Sequence, residues 1–357
     1  FPGSAGALPR LHGTARPRSG PEPTVPDASG PFLSLPRESG PAWVFPGVGV
    51  KPSGFESVLA GQFPREFCEG FARTADASDR DLWPTLADDS FASLGGLDEQ
   101  FFSFTFAAVL AGLVGERFGP PRLAAGNSFG VYPALYAAGA LSWEACLTIL
   151  TAAWRTMEVA AARQAANLCA VVGLELAELE AILAEANGTM AVAQLYDGVP
   201  VPPVLRVNSN NDTCHIFCGP AAGIAGLETA ALAAGAINVV VLPLAMPYHH
   251  PGFHGGEVAD FRDQLAARDW CGPRFPLVST LDCRLLETPA DLIDFVARQA
   301  FEPIDWAAVV RQVYAWGVGE LFECGPGLSL TQNARFLPGE ARWQNCRTLS
   351  KRLVTHG

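Results

Sequence analysis

Gly126-Asn127-Ser128-Phe129-Gly130 stands between a short apolar run, Arg122 to Gly126 (RLAAG), and a helical pattern from about Phe129 to Ala162. A strand that becomes a helix within five residues needs glycines where the backbone folds back on itself. The serine between them is left exposed at the helix start, where main-chain N–H groups can stabilise an oxyanion. Pro133 falls near the end of the first helical turn, where a missing N–H is tolerated. Alone, the pentapeptide fits an ordinary tight turn as well as a reactive serine. Either way it commits this stretch to a strand–turn–helix unit, and the chain to mixed α and β layers.

The other patterns extend that frame. Order is expected from Ala42, with the strand-like WVFPGVG, and Phe101 to Phe118 reads as a largely buried helix. Asn167 to Leu174 reads as a strand and Leu176 to Ala186 as an amphipathic helix. Two strand-like runs follow, one around Thr189 to Tyr196 with Leu205 to Asn208 and one at Thr213 to Gly219. The helix Ala222 to Ala234 then leads into the strand INVVVLPL. That β-α-β-β-α-β order is the ferredoxin-like motif, inserted in a larger unit. Beyond residue 245 come a strand at Phe275 to Leu281, a helix at Ala290 to Ala300 and a strand at Glu320 to Cys324.

With 49% hydrophobic and 17% charged residues among 357, the chain suits a well-buried enzyme. Its net charge of -12 argues against nucleic acid as a partner. The nine cysteines are scattered and odd in number, which points to buried thiols in a reducing compartment, not a disulfide framework. Cys214 and Cys218 lie four apart on one strand face, a core pattern, with His215 facing the other way. No cluster has zinc spacing, so no metal is expected. No secretory signal is evident, and the tract Ala221 to Met246 is too interrupted for a membrane span. A cytoplasmic protein without a membrane partner is the expectation. Residues 1–40 hold 8 Pro, 6 Gly and 5 Ser and read as a flexible leader; a start at Phe1 fits processing or excision from something longer.

Gly126 to Leu141, GNSFGVYPALYAAGAL, resembles the nucleophile segment of the malonyl-CoA:acyl carrier protein transacylases and polyketide synthase acyltransferase domains. Three further segments agree in order: Phe45-Pro46-Gly47-Val48-Gly49, Pro247-Tyr248-His249-His250-Pro251 and Glu323-Cys324-Gly325-Pro326-Gly327. Arg298-Gln299 with Pro303 to Trp306 is similar to a fifth stretch. The resemblance spans residues 42 to 335. It implies an α/β fold, with an α/β-hydrolase-like large subdomain (41–163 and 240–357) and an inserted ferredoxin-like small subdomain (164–239). It implies Ser128 as nucleophile, His249 as its base, and an oxyanion hole from the N–H groups of Val48 and Phe129. His250 is then structural or pocket-lining, and His254 belongs on a surface loop. A backbone carbonyl near Ser279 or Thr280 would orient the imidazole. No bound cofactor is implied; the phosphopantetheine of an acyl carrier protein, or coenzyme A, enters as substrate, with an acyl-CoA or acyl-carrier donor.

The chain departs from the family in one telling place. With Met157 on the family methionine, Ala153 falls where an arginine pairs with the malonyl carboxylate. Arg155 sits two residues on, which turns it to nearly the opposite side of the helix, and it does not simply substitute. Ala153, Trp154, Arg155, Met246 and Tyr248 are the candidate acyl-binding residues. The expectation is acyl transfer through an acyl-serine to or between carrier thiols in polyketide-type biosynthesis, with a carboxylate-free acyl group. A thioester hydrolase of the same fold is the alternative. An ordinary α/β-hydrolase would need an acid between Ser128 and His249 in chain order. Residues 333 to 353 hold five cations, including Arg342, Arg347 and Lys351, against Glu340 alone. That local +4 is a candidate docking surface for an acidic carrier, or else a solvated tail helix.

Overall fold

Parallel strands covered on both faces carry few polar residues, and β1 (Ala42–Phe45) and β2 (Leu123–Gly126) are buried throughout. The computed structural model describes residues 39–49, 51–87, 90–188, 194–196 and 199–355. All but the last two residues of the expected leader lie outside them.

The remaining strands are β3 (Asn167–Val172), β4 (Gln194–Tyr196), β5 (Val199–Val201), β6 (Leu205–Asn211), β7 (Cys214–Gly219), β8 (Asn238–Val241), β9 (Leu277–Val278), β10 (Leu285–Leu286), β11 (Glu320–Glu323) and β12 (Arg342–Gln344). Six form one sheet in the order β10-β9-β2-β1-β11-β12, parallel except at the β9–β10 edge. Phe45 pairs with Gly126, and Val44 with Glu323. The carboxyl ends of β1, β2 and β11 therefore open side by side, the usual position for a site in such sheets. The second sheet is antiparallel, ordered β6-β7-β3-β8. Leu179 and Leu183 of one helix, and Ile224 and Leu227 of another, pack with Val171 and Phe217 against one face of it. The opposite face carries Leu168 and Val207. Among the described residues β4 pairs only with β5, apart from this sheet, and residues 189–193 of the strand expected there lie outside them.

Helix Gly96–Phe118 is long and apolar enough to cross a membrane, but 72% of its apolar window is buried in this fold. Phe102 stacks on Phe91 at 4.6 Å between ring centroids, with Phe71 tilted against it at 5.4 Å. Such ring pairs add to the area they bury, and they make this helix the aromatic spine of the core.

The single helix expected from Phe129 to Ala162 is broken in two, Val131–Ala137 and Trp143–Arg163. Gly139 takes φ +72° after the first, and the Ser142 side chain accepts the Ala145 N–H to start the second. All nine cysteines are free thiols; five are buried, but Cys68 and Cys271 are exposed, so burial is not general.

Candidate active site

Two close approaches build the turn after β2. A Cβ on Gly126 would lie 2.3 Å from the Gly130 carbonyl carbon, and one on Gly130 would lie 2.2 Å from the Phe45 carbonyl oxygen. Only glycine fits at either place. The Asn127 N–H donates to Phe45 O at 2.9 Å, tying the turn to β1. Ser128 then takes φ +53° and points its hydroxyl into the cavity. That left-handed backbone is one that side chains rarely adopt.

Ser128 Oγ lies 2.7 Å from His249 Nε2. His249 Nδ1 lies 2.5 Å from the Gln299 carbonyl oxygen. A carbonyl can only accept, so Nδ1 carries the proton and Nε2 presents its lone pair to the serine hydroxyl. Burial pushes the imidazole down to about 4, despite the backbone bonds that favour its charged form, so it is neutral at pH 7. His249 is also left-handed, at φ +62°, and its N–H donates to Ala300 O at 2.9 Å. Ser128 and His249 thus both have strained backbones, with main-chain bonds to neighbouring elements at Asn127 and at His249 itself.

The orienting carbonyl is that of Gln299, not one near Ser279 or Thr280. Those two are already engaged: Ser279 O accepts from Cys283 N–H, and Thr280 O from Asp305 N–H. Gln299 ends helix Pro289–Gln299, whose last carbonyls have no partner within the helix. His250 is fully buried, accepts the Gly252 N–H through Nδ1, and packs edge-on against Phe253; it does not line the cavity. His254 is buried rather than on a surface loop, with Nε2 donating to Pro247 O at 3.0 Å and its ring against Phe301.

The flanking motifs brace this geometry. A Cβ on Gly325 would touch the Pro46 ring at 2.4 Å, so the loops after β1 and β11 press together. Buried Glu56 accepts the Gly327 N–H at 2.7 Å and the Ser53 N–H at 3.1 Å. Buried Glu323 accepts from Leu330 N, Thr331 N and Thr331 Oγ1, while burial pushes its carboxyl up to about 7. Asn208 of β6 joins three elements: it donates to Asn127 Oδ1 at 3.2 Å and accepts the Trp306 N–H at 3.1 Å.

A cavity of about 400 Å³ opens onto Ser128. Val48, Phe129, Ala153, Trp154 and Tyr248 line it, with Leu168, Ala170, Val207 and Ile216 from the small sheet. Met246 packs on the core outside the lining, and Arg155 is exposed and absent from it. Among the described residues, no lysine or arginine lines the cavity. Glu99 and Gln100 do, and sequence reasoning missed both; the available signal was a run of three polar residues, Asp98 to Gln100, opening an apolar helix. Arg342, Arg347 and Lys351 are exposed, with the Arg347 guanidinium over the Phe55 ring at 5.8 Å. Arg352, counted with them in the sequence, pairs with Glu320 at 2.7 Å.

No family model matches the chain. It is 27% identical over 292 residues to the malonyl CoA-acyl carrier protein transacylase of Salmonella typhimurium, covering 81% of this chain and 90% of that protein. It is 26% identical over 343 residues to the polyketide biosynthesis protein ThaF of Burkholderia thailandensis, covering 94% of this chain and 27% of that longer one. A crystal structure of an acyl-carrier-protein S-malonyltransferase from Burkholderia pseudomallei superimposes with a TM-score of 0.76 at 26% identity, covering 88% and 99% of the two chains.

Proposed function

We propose, from the chain's membership in the malonyl-CoA:acyl carrier protein transacylase and polyketide synthase acyltransferase family, that it moves carboxylate-free acyl groups through an acyl-serine at Ser128 onto phosphopantetheine thiols of carrier proteins. The observation that carries this reading is the 2.7 Å contact between Ser128 Oγ and an imidazole whose other nitrogen is held by a carbonyl. Serine needs an adjacent base, and a neutral His249 is one.

The serine proton passes to His249 Nε2 as Oγ attacks the thioester carbonyl. The oxyanion faces the N–H groups of Val48 and Phe129, and the first N–H groups of a helix lack partners of their own. Collapse breaks the C–S bond, and the departing thiolate takes the proton from His249. The acceptor thiol then gives its proton to Nε2 and attacks the acyl-serine, and the serine recovers its proton as the ester opens. Intact-mass detection of the acyl-enzyme, followed by addition of carrier protein or water, tests the scheme. Release to water as fast as to carrier thiol would favour the hydrolase.

Acyl choice rests on the cavity wall. Ala153 lines it where the family places its arginine, and no lysine or arginine takes over. Desolvating a carboxylate without a partner costs several kcal/mol. Malonyl should therefore load at least about 100-fold more slowly than butyryl, since each ~1.4 kcal/mol is tenfold. Ala153→Arg should narrow that gap. Rapid malonyl loading by the unmodified protein would refute the reading.

The exposed Arg342, Arg347 and Lys351 form the proposed carrier-docking surface. Arg335 nearby directly follows the cavity-lining helix Ser329–Ala334. Charge reversal at Arg342 and Arg347 should raise the KM for carrier about tenfold, with little change in loading from a small thioester. Equal slowing of both steps would sink the assignment.

A further inference from the structure

Among the described residues that line the cavity Glu99 is the one carboxylic acid, and no lysine or arginine accompanies it. Its neighbour Asp98 pairs with Arg80, but among the described residues no cation pairs with Glu99. Glu99 Oε1 accepts the Gly49 N–H at 2.7 Å. A carboxylate has two oxygens and room for several donors, so that bond leaves most of its acceptor capacity unused. Partial burial holds the carboxyl above its usual range. A half-buried carboxylate without a counter-charge is unfavourable in the empty site. Its partner Gly49 also directly follows Val48, where negative charge opposes a developing oxyanion. A positive group on the ligand reverses both effects.

We propose that Glu99 sets acyl choice by charge, so that the cavity takes amine-bearing acyl groups best, neutral groups next and carboxylate-bearing groups last. This rests on the acyl-serine reading above and deepens it by naming a substrate class. The geometry supports it through three facts: the carboxylate lines the reaction cavity, no protein cation among the described residues neutralises it, and its bond to Gly49 fixes it beside the loop that holds Val48.

The test compares β-alanyl, butyryl and malonyl thioesters, which are similar in length and differ in terminal charge. Initial rates of loading onto Ser128 are read by intact mass. β-Alanyl should load about tenfold faster than butyryl, less than a charge pair in direct contact would give at an effective dielectric near 20, because Glu99 is only partly buried. Glu99→Gln keeps an acceptor for Gly49 but removes the charge. It should bring the β-alanyl to butyryl ratio close to one and raise malonyl relative to butyryl about tenfold. Glu99→Lys should invert the order, with malonyl ahead of β-alanyl, and this covers the case in which the first variant folds poorly. A β-alanyl to butyryl ratio equal in the unmodified and substituted proteins overturns the role of Glu99 and leaves the acyl-serine intact. Loading that persists in Ser128→Ala overturns the acyl-serine reading, and the proposal with it.

Discussion

Ser128→Ala yields no acyl-enzyme with any thioester, while the unfolding temperature stays within a few degrees of the unmodified protein. The change removes one oxygen that faces the cavity and contacts the imidazole, so little packing is lost. His249→Ala should slow loading by about 10⁶-fold, the range found when a serine nucleophile loses its histidine base. The unmodified protein adds a pH signature. The base must be neutral to accept the serine proton, and burial holds it down to about 4. Loading is therefore present above that value and lost as the pH falls through it, well below the ordinary histidine range. Acylation at full rate without Ser128 would refute the assignment, and an inflection near 6.5 would show that the imidazole is not desolvated.

Gly130→Ala is the second large effect. The new methyl would lie 2.2 Å from Phe45 O and 2.7 Å from Phe45 C, backbone atoms that cannot rotate away. The turn must shift from β1, which loosens the Ser128–His249 contact at the same time. A loss of about 2–4 kcal/mol in stability is expected, with loading reduced more than about 100-fold, because small misplacements of reacting groups are costly. Gly112→Ala is the control: it lies on the exposed side of helix Gly96–Phe118, and its Cβ meets nothing within 4 Å. It should be neutral or slightly stabilising. Chemical denaturation together with loading kinetics checks both. Equal behaviour of the two variants would show that the close approach at Gly130 does not hold the nucleophile.

Sequence spacing carried the local units well. The β-α-β-β-α-β succession is present as β3, β6, β7 and β8 with their two helices, because alternation and helical period are properties of neighbouring residues. The strand order of the large sheet was not legible, since pairing of β1 with β2 and β11 joins segments tens to hundreds of residues apart. The break at Gly139 was hidden for a local reason: its apolar neighbours kept a helical look across a turn. At the site, Ser128 and His249 announce themselves by side chain. The Gln299 carbonyl does not, because any residue supplies one, and only the end of a helix leaves it unpartnered. Glu99 was passed over because an acid near a helix start is ordinary. Its bond to Gly49, fifty positions away, is visible only in three dimensions.

The cavity has walls of different origin. Ser128 follows β2 of the large sheet and Gln299 ends helix Pro289–Gln299, whereas Leu168, Ala170, Val207 and Ile216 come from the antiparallel sheet. Part of the cavity wall therefore comes from a different sheet than the elements carrying Ser128 and His249, and that part can vary without rebuilding their contact. Reshaping the side chains of β3, β6 and β7 that face the cavity changes its volume while leaving the strained Ser128 and His249 backbones untouched. Asn208 is the exception, because it reaches from β6 to Asn127 beside Ser128. A chain built this way can diversify in what it carries while keeping how it carries it, provided that one amide is preserved.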